Sequence, residues 1–498
     1  MLPGEGARLR ARSRESQMTD RYAATRRELI AGAGAAFATL ATRASAEPRI
    51  VMNDASRLNP TPTIRHWTVT ERGDQRIALL RKELKDAASA KRPVVVGAAR
   101  HSMGAQSLAR DGIAISFPES AIEPDTANAI YRTPAGMRWH DVIAALDKIG
   151  YSPAVMQSNA DFGIGATFSV NAHGWPVPYG PFGSTVKSLR LMLASGDIVE
   201  CSREKNADLF RLAMGGYGLV GIILDLDVAM VKNLYLQRTA VMVAPEEFGE
   251  KFVKAVRDPK VLMAYGRLSV ERARFFHEAM LVTYGAAPKQ PAPLPPVAYH
   301  SSMTGVSRKI YRAQVGHEYG KKARWIAETV LDPKIASGLA TRNSLMAEPV
   351  ANLANTDMTR TDILHEYFVP PARFADFVSA CRRIIPPAKA EFLNVTLRYV
   401  APDPDAVLAF APQERIAAVM SFSQTTNPEG ETDMLQVTEK LIDAVAGIGG
   451  AFYLPYRLHA RRDQVRACYK NADAFAEAKR KHDPGLLFRH AMWDAYFA

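Results

Sequence analysis

The octapeptide Gly97-Ala98-Ala99-Arg100-His101-Ser102-Met103-Gly104 is bounded by glycine and lies between the apolar run Val94–Val96 and the alternating run Ile113–Phe117. Two short strands are expected to flank it. Small residues let successive backbone N–H groups turn toward an anion such as a diphosphate, which makes a loop of this kind a site for negative charge. His101 would then stand beside whatever is bound. Taken alone, the octapeptide is equally readable as a tight turn with a surface histidine. Ser158 to Gly174 shares its composition, and there Gly163, Gly165, Ala166, Ser169 and Asn171 would let a flat ring system lie against the backbone. Gly216 to Gly221 spells GxGxxG, but its glycines follow a helical pattern and precede the apolar run Ile222 to Val231. A dinucleotide fold needs the reverse order, strand then helix, so a Rossmann site is excluded while a turn meeting a nucleotide edge-on is not.

The elements around these loops follow from apolar spacing. Asp74 to Ala90 has Ile77, Leu80, Leu84 and Ala88 at helical intervals, and Trp139 to Ile149 presents Trp139, Val142, Ile143, Leu146 and Ile149 on one face. Val186 to Leu193 and Asp197 to Cys201 read as a hairpin turning at Ser195-Gly196-Asp197, followed by a short helix at Asn206 to Met214. From Lys232 the Gly-rich loops cease. Ala287 to Pro296 is a proline-rich connector, and Arg308 to Leu331 reads as a helix with Tyr311, Val315, Tyr319 and Trp325 along one side, a stripe more typical of core than of a cofactor box. Thr361 to Val369 and Phe392 to Val400 read as strands of a second sheet, and Ala472 begins a helix stopped by the turn at Asp483-Pro484-Gly485.

With 498 residues, 47% of them hydrophobic, the chain has more material than one core needs. Of its net charge of +12, residues 1–46 supply +4 and the remainder is dispersed, without the basic and aromatic alternation of a nucleic-acid groove. No nucleic-acid partner is expected. Cys201, Cys381 and Cys468 are too few and too far apart for a disulfide framework or a metal knuckle, and no metal site is expected. The N-terminus reads as an address: Arg26-Arg27, a Gly/Ala-rich middle and the small-residue end Ala44-Ser45-Ala46 are the three parts of an export signal, with Met1 or Met18 as its start. Paired arginines resemble the twin-arginine signals of bacteria, which implies a periplasmic protein exported folded. Beyond Ala46 no stretch is long enough to span a bilayer.

Three Gly-rich elements within about 130 residues resemble the FAD-binding fold of the vanillyl-alcohol oxidase (PCMH) type, whose relatives include sugar-alcohol and aldonolactone oxidases and cytokinin dehydrogenase. The resemblance implies an α+β protein: a two-subdomain FAD-binding domain at 47–231, a cap with an antiparallel sheet at 232–457, and a segment, 458–498, returning to the FAD domain. Arg100-His101-Ser102 matches the element whose histidine in many members is bonded to the flavin, which makes His101 the candidate attachment residue. Gly163-Ile164-Gly165-Ala166 and Asn171-Ala172-His173-Gly174 match the second flavin loop, with Ala166 in place of a glycine and with Ser158 preceding them; Gly216, Gly221 and Ile222 match the third.

The implied chemistry is removal of hydride from a CH–OH group of a small substrate, with oxygen, a quinone or a cytochrome taking the electrons afterwards. It calls for a cation where negative charge gathers on the reduced ring and for an acceptor of the substrate's hydroxyl proton. Arg398, Tyr456 and Arg457 are the candidates carried over. Thr396 stands where sugar-alcohol oxidases have an acid, which weakens the polyol reading. Glu366 and His459 read more readily as polar residues paired within the structure, and His173 as a loop-holding group. A noncatalytic flavin-fold binding protein and an NADPH-fed reductase are the alternatives; nicotinamide nucleotides are scarce outside the cytoplasm, which counts against the second.

Overall fold

The computed structural model describes residues 49–299, 311–331, 338–349, 355 and 357–498. The export signal expected in 1–46 lies outside them, as does the Arg308 end of the expected aromatic helix.

The strap after residue 48 pairs with itself, β1 (Ile50–Met52) against β2 (Thr61–Thr63). Then come β3 (Arg65–Thr68), α1 (Gly73–Ser89), β4 (Val94–Val96) and β5 (Ile113–Ser116), which form a parallel three-stranded sheet in the order β3-β5-β4. Helix α1 is the crossover that parallel strands require, and it buries Leu80, Leu84 and Ala87. Between β4 and β5 the chain passes through the Gly97 loop, and the C-terminal segment extends this sheet through a bridge between Val94 and Phe488.

A six-stranded antiparallel sheet follows, built from β6 (Glu123–Asp125), β7 (Ile130–Pro134), β8 (Tyr151–Pro153), β9 (Val186–Met192), β10 (Ile198–Ser202) and β11 (Ile222–Lys232). Helices α2 (Trp139–Asp147), α3 (Ile164–Ser169) and α4 (Ala207–Ala213) are inserted between its strands. Trp139, Val142, Ile143 and Leu146 of α2 are buried as their spacing predicts. Ile149 is not part of that face: the helix ends at Asp147, before Gly150 takes up a left-handed φ of 75°, and Ile149 is 38% exposed.

From β12 onward all strands join one eight-stranded antiparallel sheet in the order β15-β12-β14-β13-β17-β18-β16-β19. It comprises β12 (Tyr235–Val243), β13 (Val261–Leu268), β14 (Ala279–Ala286), β15 (Leu339–Thr341), β16 (Arg360–Val369), β17 (Glu391–Val400), β18 (Arg415–Thr425) and β19 (Ala451–Phe452). Its packed helices include α5 (Phe248–Val256), α6 (Glu318–Ile326), α7 (Arg342–Met346), α8 (Phe374–Ile384) and α9 (Pro428–Gly447). The expected aromatic helix is shorter than its pattern suggests. Gly316, at φ 75°, turns the chain just before α6, so Tyr311 is buried with its hydroxyl 2.9 Å from Ser421 Oγ while Tyr319 is 83% exposed. The C-terminus adds α10 (Arg462–Cys468), α11 (Ala472–His482) and α12 (Ala491–Tyr496). The mixture of helices with largely antiparallel sheets is the α+β architecture expected from the sequence. Among the described residues no helix is long and apolar enough to cross a membrane.

Candidate functional site

The Gly97 loop, the segment 157–173 and the turn at Tyr217-Gly218 converge on a cavity of about 450 Å³, which the faces of β16, β17 and β18 close from the other side. That volume falls within the roughly 300–1,000 Å³ of small-molecule and cofactor clefts. The loop wall is nearly bare backbone. A Cβ on Gly163 would lie 2.6 Å from the Cβ of Ala98, and one on Gly165 would lie 2.7 Å from that of Ala135, so the segments close on one another only because both positions lack a side chain. Arg100 sits in this wall at φ 55°, a left-handed conformation that costs a side-chain-bearing residue energy.

Gly97, Ala98, Ala99, Arg100, His101 and Ser102 all line the cavity, as do Ser158, Gly163, Gly165, Ala166, Ser169, His173 and Gly221. The Arg100 guanidinium lies 2.9 Å from His66 Nε2 and 3.1 Å from Ser116 Oγ. Burial and the neighbouring Arg138 lower its pKa, but a guanidinium starts so high that it stays charged. Arg100 and Arg138 therefore give the loop end of the cavity a positive field for an anionic group. His101 packs against Phe162, ring centroids 4.5 Å apart and the rings tilted by 36°, and burial lowers its pKa below the ordinary histidine value. Its imidazole is thus held neutral, with a lone pair on one ring nitrogen.

Six residues proposed from the sequence do not line the cavity. Met103 is turned aside, its sulfur accepting from Leu364 N, and Gly104 packs against the carbonyl of Tyr456. Asn171 is consumed in holding the loop, donating to Asp403 and accepting from Gly183 N at 2.9 Å. Gly216 is pressed on the end of α4, where a Cβ would meet the carbonyl of Leu212, and Ile222 is buried in the sheet. Arg457 pairs with Glu431 and donates to Asn59 Oδ1 at 2.8 Å, fastening the C-terminal return to the strap. His459 belongs to the same network, 2.9 Å from Glu431 Oε1, and is likewise outside the cavity.

On the sheet wall, Leu364 and Glu366 of β16, Val419 of β18 and Arg398 of β17 face the cavity. Arg398 is buried, lowered in pKa by loss of solvent, and donates to the carbonyl of His173 at 3.2 Å and to Ser158 Oγ at 2.5 Å. Its Nε has no partner. Glu366 is 3% exposed; one carboxylate oxygen meets His173 Nε2 and the other accepts from the Tyr456 hydroxyl at 3.2 Å. Burial, reinforced by Glu366, pushes the Tyr456 phenol well above its usual pKa. Glu366 is paired, as its type suggested, but its partners His173 and Tyr456 line the cavity with it. Sequence reading missed Gly136, Arg138, Phe162, Val419 and Tyr453 as lining residues; of these only Gly136, in a short turn after an alternating run, carried any local signal.

The cavity suits an extended flat cofactor on three counts: a cradle that added Cβ atoms would fill, two guanidiniums at one end, and buried polar atoms of Arg100, His173 and Arg398 that the protein leaves without partners. Residues 76–202 match the FAD binding domain family. The chain is 22% identical over 426 residues to cytokinin dehydrogenase 3 of Arabidopsis thaliana, covering 78% of this chain and 77% of the relative. An uncharacterized oxidoreductase encoded in the fasciation locus of Rhodococcoides fascians is 28% identical over 155 residues, 31% of this chain and 35% of that protein. L-Gulonolactone oxidase of Bos taurus is 29% identical over 118 residues, 24% of this chain and 27% of the relative. Except for the Arabidopsis protein, the chain spans about a third or less of the length of these relatives.

Proposed function

The chain belongs to the FAD-binding oxidoreductases of the vanillyl-alcohol oxidase (PCMH) type, and on that premise we propose that it oxidises a CH–OH group of a small hydroxylated substrate. FAD, when bound, supplies the two-electron acceptor. The observation that carries the reading is the meeting of the two walls: a backbone cradle for the cofactor on one side, and a buried cation, carboxylate and phenol on the other.

Ala98, Ala99 and Ser102 in the Gly97 loop, with Gly163 to Ser169, would hold the cofactor, and Arg100 and Arg138 would balance its phosphates. Arg398 would offset the negative charge that gathers on the reduced ring, which a cation already desolvated and fixed by two hydrogen bonds does without reorganising. The neutral imidazole of His101 is suited to a covalent tether, because the bond to the flavin needs a free ring lone pair. A tether also suits an exported enzyme that could not replace lost FAD, in keeping with the twin-arginine-like start and a periplasmic site of action. Oxygen, a quinone or a cytochrome would reoxidise it.

Two measurements test this. The purified protein is mixed anaerobically with a panel of alcohols, lactones, sugars and amines while its flavin absorbance is followed; bleaching by a carbinol supports the reading, and bleaching by amines alone overturns it. Acid precipitation then asks whether the yellow colour stays with the polypeptide, as a His101 tether requires.

A further inference from the structure

The register of the large sheet places Glu366 opposite Val419, and Val419 opposite Thr396. Residues directly opposed across antiparallel strands share a face, and so do residues two apart along one strand. Glu366 therefore stands on the same face as Arg398, two strands away, which is roughly 10 Å across the sheet. Val419 fills the space between. A carboxylate and a guanidinium separated by an apolar floor can address two ends of one small molecule.

Among the described residues that line the cavity, Glu366 is the one carboxylate. His173 is joined to it through Nε2, and the remaining groups there are poorly fitted to accept a proton from a substrate hydroxyl. Tyr453 and Tyr456 are pushed well above the usual phenol range by burial and remain protonated, and the Tyr453 hydroxyl already donates to the carbonyl of Val170 at 2.7 Å. Arg398 has donors only. Ser158 accepts from Arg398. His66 is engaged with Arg100, and His101 lies on the loop wall against Phe162.

We propose that Glu366 is the group that takes the substrate's hydroxyl proton, with His173 and Tyr456 holding one carboxylate oxygen each; the assignment rests on the carbinol-oxidation reading above. In the step, the O–H bond breaks and its proton joins Glu366. With FAD bound as the two-electron acceptor, the C–H bond would break with its electron pair leaving as hydride and the C–O bond would become C=O. Tyr456 donates to Glu366 and steers the oxygen that must meet the substrate, and His173, on the loop wall, fixes the carboxylate relative to the cofactor side. It is a base imported from β16, where the sequence offers none beside Arg398 on β17.

The test is anaerobic flavin reduction by the carbinol that bleaches the wild type fastest, in wild type, Glu366→Gln and Glu366→Ala. Glu366→Gln should keep FAD and lose on the order of 10²–10⁴-fold in reduction rate, the range for loss of a general base. Added formate should restore part of the rate of Glu366→Ala. A Glu366→Gln protein that holds FAD and is reduced at the wild-type rate overturns the assignment and leaves the reading of the reaction standing. A wild-type protein reduced by no carbinol overturns the reading and the assignment with it. Should Glu366→Gln fail to hold FAD, Glu366→Ala decides: reduction at the wild-type rate without formate overturns the proposal.

Discussion

Along one wall of the cavity, at Gly97 to Ala99 and Gly163 to Ala166, little but backbone and small side chains faces inward beside Arg100 and His101, whereas the opposite wall, on β16, β17 and β18, presents Glu366, Arg398 and, beside them, Tyr456. The loop wall binds by geometry. Its fit depends on missing side chains, and one added methyl is a collision. The sheet wall acts by charge. Its groups are buried, desolvated and cross-linked, so each can be removed with little change of shape but with a large change of field. Binding and chemistry should therefore be separable by mutation.

The largest effect is expected at the junction of the loops. Gly163→Val drives a branched side chain into Ala98, so the purified protein should be colourless and FAD affinity, by calorimetry, should fall more than about 100-fold. Retained yellow colour would show that the loops adapt and that the cradle is not the binding element. Next comes Arg398→Met on the sheet wall. FAD content should be unchanged, while the rate of anaerobic reduction falls by about 10²–10³, the usual loss for one preorganised donor to developing negative charge. His101→Ala should bind FAD but release it on acid denaturation, which checks the tether. Tyr456→Phe removes one donor to Glu366 and should slow reduction by about tenfold, the worth of a hydrogen bond to a charged group.

The smallest effect concerns how the loop wall is braced from behind. His490 Nε2 lies 3.0 Å from the carbonyl of Tyr217, and burial depresses its pKa to about 4 from an ordinary 6.5. The unfolded chain therefore binds a proton between those values that the folded one refuses, so stability present above about 6.5 is lost as pH falls toward 4. Urea midpoints measured over this window should decline more steeply in the wild type than in His490→Gln. Parallel slopes would show that His490 is not a source of the decline.

The same contrast explains what could be read from the sequence. The loop wall is local: Gly97 to His101 and Gly163 to Ala166 are each within a few positions of one another, and small residues at short spacing announce close approach of backbone. The strands on either side were equally plain. The sheet wall is not local. Glu366 and Arg398 are adjacent only through Val419 on a third strand, and no pattern along the chain encodes that register. Arg457 misled for the same reason: it neighbours Tyr456, but the chain bends there and its guanidinium turns to Glu431. Gly216 and Ile222 matched a motif by spelling, while α4 and the sheet claim them for packing. Tyr319 followed a helical stripe that Gly316 interrupts.

The division of labour between the walls is tested most directly by the anaerobic flavin spectrum of the double variant Glu366→Gln, Arg398→Met. The expected result is FAD at wild-type stoichiometry that stays oxidised in the presence of the carbinol that bleaches the wild type. Bleaching at the wild-type rate, or loss of FAD from an otherwise folded protein, would contradict it.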